Sequence, residues 1–206
     1  MTVLQPSLLE VLGPERLAPQ PFERVELGRG AWVEHCPGWA PAPGALFERL
    51  VTAARWREER RWMYDRIVDV PRLVAFYGPG EPLPDAALRS MREALDDRYA
   101  PDLGEDLVTA GLCLYRDGRD SVAWHGDTIG RGSREDTVVA IVSLGARRRF
   151  LLRPRGGGGS LRYEIGEGDL LVMGGSCQRT FEHAVPKTAR PVGPRCSIQL
   201  RPAGVR

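Results

Sequence analysis

Two histidines and one aspartate are the residues of this chain best suited to chemistry. His125 and Asp127 form an H-x-D within Trp124-His125-Gly126-Asp127, and His183 lies far downstream, in a chain with three histidines in all. On an extended segment, residues two apart point to the same side, so the imidazole and the carboxylate share a face. A third ligand from a later strand then completes a facial triad. Such a triad leaves three positions open on a six-coordinate metal, enough for a bidentate organic acid and dioxygen, which is the chemistry of a non-haem Fe(II) oxygenase. Arg195 and Arg201 follow His183 by 12 and 18 residues. Their even separation turns both planar forks to one side of a strand, where they can meet a dicarboxylate. Taken alone, H-x-D with a distant histidine also fits a buried histidine paired with a carboxylate and no metal. The two arginines and the strand pattern favour the metal.

The elements that must position these residues begin near Leu107. From there the sequence breaks into short apolar runs rich in β-branched residues, separated by Gly, Pro, Asp and Arg. Strands are predicted at Leu107–Tyr115, Val122–His125, Thr137–Leu144, Arg148–Arg153, Leu161–Ile165, Asp169–Met173, Thr180–His183 and Arg195–Arg201. Eight short strands without intervening helices imply a mainly β (α+β) fold whose core is a double-stranded β-helix, or jelly roll. The Gly156–Gly159 run reads as a mobile hairpin loop, because a phosphate-binding loop would need a helix after it. The arginine run Arg147-Arg148-Arg149 reads as a solvated strand edge, and His35 as a surface or packing residue.

Upstream, helical spacing over Ala45–Trp56 (Leu46, Leu50, Val51, Ala54) and Asp85–Tyr99 (Leu88, Met91, Leu95, Tyr99) predicts two core-facing helices, with Pro84 before the second start. The proline-rich stretch 1–43 predicts an irregular lead with one strand near Arg24–Val33. The expected organisation is an N-terminal extension, 1–105, carrying the helices, and a jelly-roll core, 106–203, the two forming one compact body.

Composition sets the class. Hydrophobic residues at 42% and charged residues at 27% are the balance of a soluble globular protein. No apolar run approaches the roughly 20 residues that span a bilayer, and the N-terminus lacks the basic-then-apolar order of a signal peptide. A cytoplasmic monomer with no membrane partner is expected. Cys36, Cys113, Cys177 and Cys196 show no C-x-x-C pairing, which excludes a structural zinc site of that type and leaves reduced thiols, Cys177 and Cys196 among them in the core. The net charge of +2 does not by itself indicate nucleic acid. Lys187 is the only lysine, so nearly every positive charge is an arginine, the residue suited to phosphate; a GC-rich coding bias would produce the same excess.

Leu114-Tyr115-Arg116-Asp117-Gly118, His125 with Asp127, Val142-Ser143-Leu144-Gly145, Gly168 to Met173, Glu182-His183 and Pro194-Arg195 to Arg201 occur in an order and spacing that resemble the AlkB family of Fe(II)- and 2-oxoglutarate-dependent dioxygenases, over roughly residues 60 to 203. The nucleic-acid dealkylation repair branch is the nearest. Val70-Pro71-Arg72 to Phe76-Tyr77-Gly78 resembles that family's nucleotide-recognition region. The resemblance implies Fe(II) on His125, Asp127 and His183, and 2-oxoglutarate held by Arg195 at its distal carboxylate, by Arg201 at its metal-chelating end, and by Tyr115 and Ser197. With O2 as the second cosubstrate, it implies hydroxylation of an alkyl carbon on a base nitrogen. Succinate, CO2 and an aldehyde are released from alkylated DNA or RNA. Reaching such a carbon in a duplex requires extruding the nucleotide, for which Trp62 and Tyr64 in Arg61-Trp62-Met63-Tyr64 are the candidate wedge and Tyr77 a candidate contact.

The chain departs from the family pattern at four places. Cys113 stands where asparagine is common, two before Tyr115. Ser197 replaces another asparagine and is a shorter donor. Ile129, two after Asp127, stands where an acid often reads the exocyclic amine of the base, a bond it cannot accept. Pro79-Gly80-Glu81-Pro82 follows Tyr77 where an aromatic pair is expected. Two other readings remain open on sequence alone: a 2-oxoglutarate-dependent hydroxylase of a protein or small molecule, and a jelly-roll binding module without catalysis.

Overall fold

The computed structural model describes residues 21–63 and 65–205. In chain order the elements are β1 (Glu23–Gly28), β2 (Ala31–Cys36), α1 (Pro43–Ala53), β3 (Arg57–Met63), β4 (Arg66–Tyr77), α2 (Ala86–Leu103), β5 (Thr109–Tyr115) and β6 (Val122–His125). They continue with β7 (Val139–Gly145), β8 (Arg148–Pro154), β9 (Leu161–Ile165), β10 (Asp169–Gly175), the single turn α3 (Cys177–Thr180), β11 (Phe181–Val185) and β12 (Arg195–Arg201). All eight strands expected beyond Leu107 are present.

They form two antiparallel sheets. The larger has eight strands in the order β1-β2-β10-β7-β12-β5-β4-β3, and the smaller four in the order β6-β11-β8-β9. The described residues before Leu107 thus supply four strands to the larger sheet, where one was expected near Arg24–Val33. β1 and β2 form a hairpin, and β2 continues the sheet by pairing with β10, Val33 opposite Met173. Pairing across so long a sequence separation leaves no local signature, since β2 alternates weakly.

Strand periodicity divides the apolar residues into two cores. Leu112 and Leu114 of β5, Val142 and Leu144 of β7, Leu170 and Val172 of β10, and Ile198 and Leu200 of β12 face the helices, packing with Leu46 and Leu50 of α1 and Leu88, Met91 and Leu95 of α2. Their strand neighbours, Tyr115, Ile141, Leu171 and Met173, face the smaller sheet with Phe150, Leu152 and Val185. α1 starts on Pro43 and buries Leu46, Phe47 and Leu50, while Val51, expected on that face, is 37% exposed. α2 begins where its signals predict: the Asp85 side chain accepts from the Ala87 N–H at 2.9 Å, and Gly104 closes the helix with φ 76°. Among the described residues no helix is long and apolar enough to cross a membrane.

The arginine run is not a uniformly solvated edge. Arg149 is exposed, but Arg148 is buried. Its guanidinium donates to the carbonyls of Asp117, Asp120 and Pro186 at 2.8–3.0 Å, tying two loops to β8. An inward-facing register position and three fixed carbonyls outweigh the general preference of arginine for water. Gly156–Gly159 joins β8 to β9, with φ of 90°, 100° and 124° at its first three residues and no helix after it.

Candidate metal and anion site

β6 and β11 are paired so that His125 lies opposite His183, with ring centroids 4.2 Å apart. The chain then turns sharply through Gly126. A Cβ there would lie far inside contact with the Gln178 carbonyl oxygen, so only glycine lets the turn press against the α3 backbone. The turn delivers Asp127, whose N–H donates to Gln178 Oε1 at 2.9 Å. One ligand atom from each of His125, Asp127 and His183 lies within 4.8 Å of the others, a spacing a single ion can bridge.

The protonation states suit a metal. His125 Nδ1 lies 2.8 Å from the Ala123 carbonyl oxygen. That oxygen can only accept, so Nδ1 carries a proton, and Nε2, 3.9 Å from Asp127 Oδ1, is the nitrogen turned toward the cluster. Burial works against charge on Asp127, but the Arg201 guanidinium and the two imidazoles outweigh it and hold the carboxyl down at about 2. Burial and the neighbouring His125 depress His183 to about 3. At neutral pH the trio is therefore a carboxylate and a neutral imidazole beside a correctly oriented second one, the states that ligate.

The second half of the site is a row on β12. Arg195, Ser197, Gln199 and Arg201 alternate with the helix-facing residues and so share one face. On β5, Tyr115 lies opposite Arg195, Cys113 opposite Ser197 and Gly111 opposite Gln199. The four β12 residues, Tyr115 and Cys113 line one cavity with His125 and His183. At the metal end, Arg201 Nε donates to Asp127 Oδ2 at 2.7 Å. Gly111 makes room for this: a Cβ there would stand 3.0 Å from Arg201 Nη1 and 3.1 Å from Gln199 Oε1.

At the far end Arg195 is 1% exposed. It donates from Nη2 to Ser143 Oγ at 2.7 Å, while its Nε and Nη1 are buried with no partner. Burial pushes this guanidinium down from its ordinary range. A buried cation with two unsatisfied donors is costly unless an anion offers them acceptors, and a carboxylate can accept from Nη1 in a charge-assisted bond. Tyr115, 5.1 Å from the Arg195 guanidinium, is pushed up to about 12 by burial and so keeps its proton for donation. Between the ends, Gln199 Nε2 donates to Ser197 Oγ at 2.6 Å, which leaves the serine proton free for a ligand. The residues present thus fit a metal at one end and a carboxylate at the other, the demand of a metal-chelating dicarboxylate such as 2-oxoglutarate.

The structure therefore brings together all seven residues singled out for metal and cosubstrate. Tyr77 is a correction. It is 2% exposed in the helix-side core, beside Leu88 and Leu112, and its hydroxyl accepts from the Arg55 N–H at 3.2 Å. Its strand position, opposite Ala110, turns it away from the cavity. Trp62 lies on β3 opposite Ile67, Tyr64 falls outside the described residues, and Ile129 is 67% exposed two residues beyond Asp127. Sequence reasoning missed Gly111, Gln178 and Gln199. Gln199 had a signal, the same even spacing that picked out the arginines, whereas nothing in sequence joins Gln178 to Asp127.

Comparison with known proteins agrees with this geometry. Alpha-ketoglutarate-dependent dioxygenase alkB homolog 3 of Bos taurus is 29% identical over 190 residues, covering 81% of this chain and 64% of the relative. The DNA oxidative demethylase ALKBH2 of Arabidopsis thaliana is 28% identical over 134 residues, covering 54% of this chain and 42% of the relative. The chain thus spans less than two thirds of the length of either. Among solved structures, OsALKBH1 superposes with a TM-score of 0.55 at 13% identity, covering 88% of this chain and 100% of that one, a likeness of fold. Residues 46–201 match the family model of the 2OG-Fe(II) oxygenase superfamily, and the chain belongs to that superfamily of Fe(II)-, 2-oxoglutarate- and O2-using dioxygenases, with AlkB homologues as its relatives.

Proposed function

We propose that this chain oxidatively dealkylates bases in nucleic acid. The observation that carries the oxygenase chemistry is the pairing, in one cavity, of the His125, Asp127 and His183 cluster with the unpartnered donors of buried Arg195. Support for the substrate comes from the relatives, one of which is a DNA oxidative demethylase, and from a polar groove of about 560 Å³ that shares Arg72 with the cavity. Arg60, Arg116, Arg119 and Lys187, the residue types that meet phosphates, line that groove among Glu58, Glu59, Asp117 and Asp120, with Arg116 and Arg119 paired to Asp120 and Asp117.

His125, Asp127 and His183 would hold Fe(II), which together with O2 and 2-oxoglutarate supplies the oxidation of an alkyl C–H to an alcohol. The work of the chain's own residues is positioning. Arg195 and Tyr115 grip the distal carboxylate, and Ser197 donates along the chain of the cosubstrate. Arg201 holds Asp127 ionised and oriented, and the packing of Phe150 against His183 keeps water from the buried imidazole. Ile129, exposed beside the metal ligands, offers the base an apolar contact in place of an acceptor.

The test is reconstitution with Fe(II), 2-oxoglutarate and O2 on oligonucleotides carrying methyl and etheno adducts, scored by mass spectrometry beside Asp127→Ala. Adduct loss that needs all three components and Asp127 is expected. Succinate formation with every adduct intact would move the target to a protein or small molecule, and a salt-independent affinity for oligonucleotides would agree with that move.

A further inference from the structure

Three of the four cysteines, Cys36, Cys177 and Cys196, are 1% exposed or less. Cys113 differs: it is half-buried and its side chain lines the cavity. Arg72 Nε donates to its sulfur at 3.4 Å, and the thiol itself donates to Gln199 Oε1 at 3.8 Å. The Arg72 guanidinium against the sulfur places a positive charge where an anionic reagent must approach it. Arg195, whose Nε and Nη1 are buried without a partner, lines the same cavity, so this thiol sits beside a cation that an anion would satisfy.

We propose that Cys113 is a covalent modification site for small carboxylate-bearing alkylating electrophiles, and that its alkylation and dicarboxylate occupancy of the cavity exclude one another. The arginines hold the carboxylate of the electrophile and so present its electrophilic carbon to Sγ. With an α-haloacid the sulfur lone pair forms the S–C bond, the carbon–halogen bond breaks, halide leaves with the bonding pair, and the thiol proton passes to solvent. The thioether then fills the space opposite Ser197 that the cosubstrate backbone needs. The proposal rests on the reading of this cavity as a dicarboxylate site.

The experiment uses the whole chain loaded with Mn(II) as a redox-inactive ion. Native protein is treated with iodoacetate or with iodoacetamide, with and without 2-oxoglutarate, and each cysteine peptide is followed by mass spectrometry while calorimetry records 2-oxoglutarate binding separately. Cys113 is expected to be the cysteine labelled in the native state. The ratio of its iodoacetate to iodoacetamide rates should exceed that of the unfolded chain by about tenfold or more, the gain expected from charge-focused delivery, and saturating 2-oxoglutarate should suppress the label. Arg72→Met, checked for fold by circular dichroism, should slow labelling, and Cys113→Ser should take up no native-state label. An unlabelled Cys113, a rate ratio equal to that of the unfolded chain, or labelling undiminished while calorimetry shows 2-oxoglutarate bound would each overturn the proposal. Failure of 2-oxoglutarate to bind at all would overturn the dicarboxylate reading, and the proposal with it.

Discussion

Arg201 donates to Asp127 at 2.7 Å across the boundary between the two sheets, and both side chains are largely shielded from water, at 14% and 6% exposure. The guanidinium is thus committed to keeping a metal ligand ionised. Arg201→Met leaves a buried carboxylate without its partner, which costs about 3–5 kcal/mol. Adding Asp127→Asn should return part of that loss, and a double-mutant cycle by urea denaturation measures the coupling. A cycle that closes with no coupling would show the pair to be incidental.

Two glycines at the site should respond oppositely to alanine. At Gly111 the added methyl meets only the far ends of Arg201 and Gln199, which can swing aside. Gly111→Ala is expected to keep its melting temperature and to lose affinity for 2-oxoglutarate. At Gly126 the methyl meets backbone of the α3 turn, so His125 and Asp127 move relative to one another. Gly126→Ala should lose about 10-fold or more in metal affinity, as do changes that disturb ligand orientation. Calorimetric titration of each variant with Mn(II) and with 2-oxoglutarate separates the two effects.

Arg148 satisfies three carbonyls from two loops. Arg148→Met preserves much of its packing but strips those acceptors. The expected cost is about 3 kcal/mol, a fall in Tm of roughly 6–12 °C for a domain of this size. A Tm within about 2 °C of the parent would mean that water replaces the arginine.

Glu34 of β2 is 2% exposed. Burial works against its charge, but the Tyr99 hydroxyl and the Arg24 and Arg98 guanidiniums outweigh it, and its pKa is held below the ordinary 4.5. Because the folded value is the lower one, the stabilisation is fully present above pH 4.5 and is lost as pH falls through the folded value. Glu34→Gln should therefore be less stable than the parent at pH 7, with the gap closing in acid. Denaturation curves across that range decide it, and a gap that persists undiminished in acid would count against the assignment.

What could be read from the sequence, and what could not, follows the range of the interactions involved. The strands beyond Leu107 were legible because short apolar runs rich in β-branched residues, broken by Gly, Pro, Asp and Arg, are a local signal. The His125, His183, Arg195 and Arg201 pattern was legible because each stands on the cavity face of its own strand; Asp127 was picked out by the same two-residue rule but lies beyond the end of β6 and reaches the cluster through the turn after His125. Arg148 was not, because its acceptors at Asp117, Asp120 and Pro186 come from elsewhere in the chain and are brought together only by the fold. The same applies to Gln178 beneath Asp127 and to β2 at the side of β10. Tyr77 looked available because it is aromatic and near the matched segment, but its strand parity assigns it to the helix side.

β12 lies between β7 and β5, bonded along both edges, and it alone carries Arg195, Ser197, Gln199 and Arg201. An interior strand works as a ruler: one residue inserted or deleted within it would send every station on one side of the change into the helix layer. Descendants of such a chain can therefore retune the cavity only by exchanging side chains at fixed stations, never by altering the spacing between them. Short Ser197 faces short Cys113 across the ladder, and long Gln199 faces Gly111, so side-chain length is traded within each pair while the spacing stays fixed.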